Sequence, residues 1–154
     1  MNFLFYRYNS VCEPYMIESL QQLGHSIKTI DTEITYKDIP PKKIIEIVSN
    51  ALLSEHFDAV ISVNYYPVLS EICRIFKLRY ISWTVDSPVL ELLSDTVVND
   101  CNRIFLFDYQ QYLDLASYNP GHIFYLPLAT NTAHWDKIIQ SSASQSLKYK
   151  SNLS

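Results

Sequence analysis

Glycine is almost missing from this chain: of 154 residues only Gly24 and Gly121 are glycine. Walker-type loops and G-x-G-x-x-G dinucleotide turns need several glycines close together, so that backbone amides reach phosphate oxygens with no Cβ in the way. Neither can be built here. Cysteine is sparse too, with Cys12, Cys73 and Cys101 odd in number and widely spaced. That pattern suits neither a disulfide framework nor a C-x-x-C redox or metal site, and it leads to the expectation of reduced thiols in a cytoplasmic protein. His25, His56, His122 and His134 fall without H-E-x-x-H or Cys/His spacing, so no metal is expected.

Positive charge is in short supply, with 12 Lys and Arg against 16 Asp and Glu and a formal net charge of -4. A nucleic-acid partner is therefore not expected, because neutralising a phosphate backbone demands a basic footprint. No apolar run approaches the roughly 20 residues that cross a bilayer. The chain opens on a strand-like Asn-Phe-Leu-Phe-Tyr run at positions 2–6 rather than on a charged leader with a cleavage site, so neither a transmembrane segment nor export is expected. What is present is apolar: 48% of residues are hydrophobic and 18% charged, enough to offset the chain entropy of one domain.

Short β-branched or aromatic runs alternate with helical patterns, the signature of βαβ units around a mostly parallel sheet. The spacing predicts six strands, near 2–8, 26–30, 59–63, 80–84, 103–107 and 122–126. The third and fifth are nearly all apolar, as strands covered on both faces are. Five helices are marked by their ends. Pro14 opens the first, with Met16, Leu20 and Leu23 as its stripe and Gly24 as its stop; Pro40 and Pro41 open the second, and Pro67 the third. Ser87-Pro88 reads as N-cap and first position of a fourth, and Asp108 with Gln111 as a capping box for a fifth. The expected fold is α/β: a three-layer Rossmann-like domain over 1–135. Residues 136–154 end in a Ser-rich stretch with no period and read as a linker or tail.

In open parallel sheets ligands bind beyond the carboxyl ends of the strands. The candidate substrate-binding residues are therefore Asn9, Asn64, Tyr65, Ser87, Asp108 and Asn131, with Asp86 and Glu13 as candidate catalytic carboxylates. Two readings stand at several of them. Glu13 in the first turn of its helix either serves as a base or simply stabilises the helix dipole. Asp86 either points into the crevice or caps the next helix. Asn64 and Asp108 either cap helices or hold a ligand. Tyr8, Tyr65, Tyr66 and Trp83 lie at or beside strand ends, where aromatic faces suit a sugar ring and equally suit the edge of a core.

Ser62-Val-Asn-Tyr-Tyr-Pro67, Tyr80-Ile-Ser-Trp-Thr-Val-Asp-Ser-Pro88, Asn99-Asp-Cys-Asn102, Phe105-Leu-Phe-Asp108 and Tyr125-Leu-Pro-Leu-Ala-Thr-Asn131 resemble, in that order, the N-terminal domain of the spore-maturation CgeB-like glycosyltransferases. The likeness covers about 58–135 well and the first half loosely. It implies a GT-B enzyme of two Rossmann-like domains, in which the first presents a sugar or glycan acceptor and the second holds the nucleotide-sugar donor. Asn64, Trp83, Asp86, Ser87, Asp108 and Asn131 match the motifs. The second domain lies outside this sequence, so the resemblance implies a C-terminal donor domain or subunit as partner, and little activity from this half alone. A nucleotide diphosphate also needs close backbone amides or several cations, and the sequence displays neither in a cluster, so no cofactor is expected on this chain. The alternative is a non-catalytic carbohydrate-binding or protein-interaction module of the same fold. A phosphoacceptor receiver domain is disfavoured, because Arg7, Tyr8 and Asn9 stand where acidic Mg²⁺ ligands would follow the first strand.

Overall fold

The computed structural model describes residues 1–37 and 39–142. Its strands are β1 (Asn2–Tyr6), β2 (Ser26–Ile30), β3 (Ala59–Val63), β4 (Arg79–Thr84), β5 (Asn102–Leu106) and β6 (Ile123–Tyr125). All pair in parallel, in the order β2-β1-β3-β4-β5-β6. The expected Rossmann-like three-layer α/β fold is present. Its helices are α1 (Glu13–Gln22), the single turn α2 (Thr32–Thr35), α3 (Pro41–Ser54), α4 (Pro67–Phe76), α5 (Tyr109–Leu115) and α6 (Thr132–Ser142).

Right-handed crossovers decide which face each helix covers. The chain steps one way from β1 to β2 and the other way from β3 onward. This leaves α1 on one face, while α3, α4, the 90–98 segment and α5 share the other. On the crowded face, Leu4, Tyr6, Val60, Tyr80, Ile104 and Leu106 of the sheet meet Val48, Leu69 and Leu115 of the helices. On the opposite face, Phe3, Phe5, Ala59, Ile61 and Val63 meet Met16, Ile17 and Leu20 of α1. Every residue of β3 is buried, because it lies beneath helices on both sides, and each fully buried Val, Leu or Ile contributes about 1.5–3 kcal/mol. Cover is thinner over β4 and β5 on the α1 side. Ile81, Trp83 and Phe105 there are only half-buried, and with Met16, Leu20 and Leu128 they line an apolar groove of about 550 Å3.

Helix ends follow the local chemistry. Gly24 takes φ 82° and its N–H reaches the Gln21 carbonyl at 2.9 Å, closing α1 as a left-handed C′ residue does. Asp108 caps α5 by accepting from the Gln110 and Gln111 amides at 2.8 and 3.2 Å. The reciprocal half of a capping box does not form, since Gln111 Oε1 is buried with no hydrogen-bond partner among the described residues.

One expectation is corrected. No α-helix follows Ser87-Pro88; instead two single-turn 3-10 helices run over Leu90–Leu93 and Asp95–Val98. Ser94 interrupts the run by capping the second turn, its hydroxyl accepting from Thr96 N at 3.2 Å. The β-branched Thr96, Val97 and Val98 that follow are weak helix formers. At the C-terminal side, α6 continues through residues 136–142, the start of the stretch expected as a linker or tail. Asn131 caps that helix through His134 N at 3.0 Å, and Trp135, Ile138 and Ile139 recur at helical spacing. The remainder of the expected tail, 143–154, lies outside the described residues.

The 3-10 segment is fixed to the sheet by Asn102. Its Oδ1 accepts from Ser70 Oγ at 2.7 Å, and its Nδ2 donates to the carbonyls of Thr96 and Val97 at 2.9 and 3.1 Å. Nearby on β4, the Ser82 hydroxyl is buried with no partner among the described residues. Asn102→Ala is expected to cost about 3 kcal/mol in urea unfolding, because it strands several buried polar groups. Ser82→Ala should lie within about 1 kcal/mol of the parent, since it deletes a hydroxyl that gains nothing from burial. Equal losses in both variants would contradict this account of the core.

Candidate functional site

The strand order reverses direction between β1 and β3, and a crevice opens beyond the carboxyl ends of strands at such a switch point. A groove of about 340 Å3 lies there, and Tyr8, Glu33, Asn64, Tyr66, Asp86 and Glu91 are among its lining residues. Among the described residues, no lysine or arginine lines it.

Asn64 organises this groove. It leaves β3 with φ 58°, a left-handed conformation that asparagine tolerates better than most residues. Its Oδ1 accepts from the Val85 amide at 3.0 Å, and its Nδ2 donates to the Tyr8 hydroxyl at 2.9 Å and to Asp86 Oδ2 at 2.7 Å. One side chain thereby ties together the ends of β1, β3 and β4. Asp86 caps no helix; it is exposed at the groove. Burial pushes the Tyr8 phenol above its ordinary value, and the carboxylates of Asp86 and Glu13 push it the same way. The hydroxyl therefore stays protonated near neutral pH, able to donate. Deeper in, Tyr6 donates to Glu33 at 2.5 Å and Tyr66 donates to the same carboxylate at 3.5 Å.

The rim continues toward β5. Ser87, expected as a helix cap, donates instead to Asp108 Oδ2 at 2.8 Å. That hydroxyl, then the Gln111 amide, hold the Asp108 carboxyl below its ordinary value. A carboxyl depressed in this way adds stability that is fully present above the ordinary carboxylate pKa and is lost as pH falls through the lower folded value.

Four other candidates stand apart from the Asn64 hydrogen bonds. Glu13 is wholly buried. It accepts from the Tyr8 and Asn9 amides at 2.8 and 3.2 Å and from Arg7 Nε at 3.1 Å, so it braces the β1–α1 loop and presents no oxygen to the groove. Tyr65 is among the residues lining the crevice groove but is packed as core: the residue is 1% exposed and its hydroxyl meets Thr96 Oγ1 at 2.8 Å. Asn131 caps α6 and reaches Glu18 of α1 at 3.4 Å, on the side of the apolar groove. Asn9 lies in the Glu13-braced loop with φ 79°. Trp83 lines the apolar groove and donates to the Leu126 carbonyl at 3.3 Å.

Glu33 and Glu91 were missed. One follows β2 and the other lies in the unforeseen 3-10 turn; the position of Glu33 just beyond a strand end was the available signal. The expectation that cations do not cluster is also corrected. Arg74, Lys77, Arg79 and Arg103 line one depression of about 460 Å3 at the amino ends of β4 and β5, the edge opposite the crevice. Among the described residues, no group of three or more His, Cys, Asp or Glu could hold a metal, and no helix is long and apolar enough to cross a membrane.

Comparison with known protein families and with curated proteins finds no match to this chain.

Removal of the Glu13 carboxylate leaves Arg7 Nε and two loop amides without their acceptor. Glu13→Ala should therefore lower stability by about 3 kcal/mol in denaturant titration. Undiminished stability in that variant would return Glu13 to the list of candidate bases.

Proposed function

We propose that this chain is the acceptor-side unit of a glycosyltransferase, binding a sugar or glycan at the Tyr8–Asn64–Asp86 crevice, with the nucleotide-sugar donor held by a second α/β unit. The observation that carries this reading is the hydrogen-bonded clamp of Asn64 on Asp86 in a groove with no cation among its described lining residues. A diphosphate would meet Glu33, Asp86 and Glu91 there and be repelled, whereas a neutral polyol finds carboxylate acceptors, phenol donors and aromatic faces. Asp86, exposed and held by one amide hydrogen bond, has an oxygen left for an acceptor hydroxyl. In an inverting transfer it would take that proton as the acceptor oxygen attacks the anomeric carbon and the nucleoside diphosphate departs. In a retaining transfer it would only orient the acceptor. The apolar groove beside α1, with Trp83 and Phe105 half-covered, supports a unit that works against another one.

Two measurements test this reading. Frontal affinity chromatography over a panel of neutral oligosaccharides is expected to give retention that Asp86→Asn and Asn64→Ala each reduce at least tenfold. In the assembled two-unit enzyme, Asp86→Asn should lower kcat by about 10²–10⁴-fold if Asp86 is the base. Failure of every sugar to bind would reject the proposal. Sugar binding with no transfer from any nucleotide sugar would favour a non-catalytic carbohydrate-binding module.

A further inference from the structure

The depression at the amino edge of the sheet lies apart from the crevice and carries the opposite charge. Four of the chain's 12 basic residues line it, Arg74, Lys77, Arg79 and Arg103, together with Asp100. Glu71 neutralises Arg74, accepting from its Nε and Nη2 at 3.1 and 2.8 Å. The other three cations have no ion-pair partner among the described residues.

A helix dipole explains only part of this. Arg74 and Lys77 stand at the C-terminal end of α4, where cations are favoured. Arg79 and Arg103 have no such reason to be neighbours. Arg103 pairs in register with Ile81, so Arg79, two residues earlier on β4, is its diagonal neighbour on the same face. Like charges at such positions repel unless an anion lies between them. Arg103 is also held in place, its Nη1 meeting the Asp100 carbonyl at 3.0 Å, the Asn102 carbonyl, and His122 Nδ1 at 2.8 Å. Lys77 occupies the left-handed position that closes α4, with φ 54°. Glycine normally takes that place, and lysine sits there at a backbone cost.

We propose that this depression, defined by Lys77, Arg79 and Arg103 converging from α4, β4 and β5, binds a small ligand bearing a multiply charged phosphate group. Guanidinium and ammonium donors together suit phosphate oxygens. Three uncompensated cations are better matched by a diphosphate or phosphomonoester than by a single carboxylate. A ligand here would not occupy the sugar crevice, since the two sites lie at opposite ends of the strands.

The test is isothermal titration of the full chain with inorganic pyrophosphate at low ionic strength, where exposed charges are least screened. Saturable binding of one pyrophosphate per chain is expected, weakened at least tenfold by Arg79→Ala and by Lys77→Gly. Lys77→Gly also separates binding from folding: it removes the cation while relieving the left-handed backbone, so thermal stability should hold or rise as affinity falls. Lys43→Ala, which removes a remote exposed lysine, should leave binding unchanged. Absence of saturable binding would overturn the proposal, as would equal weakening by Lys43→Ala, which marks non-specific charge attraction. Tighter binding of hexaglutamate than of pyrophosphate would overturn it in favour of an acidic polypeptide partner.

Discussion

The side chain of Asn64 holds the carboxyl ends of β1, β3 and β4 in one hydrogen-bonded unit, and the candidate crevice exists because of it. A parallel sheet supplies unpaired strand ends but no reason for their loops to stay together. Asn64 supplies that reason by turning off β3 in a left-handed conformation and spending its amide on Tyr8, Val85 and Asp86. Ser87 extends the same rim to Asp108 and hence to the start of α5. Behind this line, Glu13 fixes the β1–α1 loop from inside. The groove is therefore shaped by side-chain hydrogen bonds to strand ends, and not by glycine turns, which the chain cannot supply.

The two ends of the sheet have opposite electrostatic character. Glu33, Asp86 and Glu91 line the carboxyl-edge groove, while Lys77, Arg79 and Arg103 line the amino-edge depression. In a chain of net charge -4, this separation gives the crevice a negative field and the far edge a positive one. The crossover rule adds a third surface. It sends most helices to one face and leaves β4 and β5 half-covered on the other, where the apolar groove lies.

Much of the architecture was legible because local signals agreed with one another. The apolar runs of β3 and β5, Gly24 after α1, and Asp108 before α5 each announce an element and its end, and the structure places all of them as read. The 87–98 segment failed because Ser-Pro looks like a helix start, whereas Ser87 finds Asp108 and Ser94 breaks the run. Helix α6 was hidden by the polar stretch that follows it, although Trp135, Ile138 and Ile139 carry the period. At the site, Asp86 and Asn64 were legible from strand ends alone. The burial of Tyr65 was not, since it depends on Thr96 and Asn102, far away in sequence. Nor was the cation cluster, whose members span α4 to β5 and meet only through strand pairing.

The central claim is that Asn64 and Asp86 face a sugar. Chemical-shift mapping of the labelled chain during titration with the oligosaccharide panel tests it most directly, because the Asn64 side-chain amide reports on the clamp itself. The account predicts saturable shifts at the Asn64 Nδ2 resonances and at the backbone amides of Tyr8 and Asp86, with the amino-edge residues Arg79 and Arg103 unmoved. Shifts that bypass Asn64 and Asp86, or none for any sugar at millimolar concentration, would contradict it.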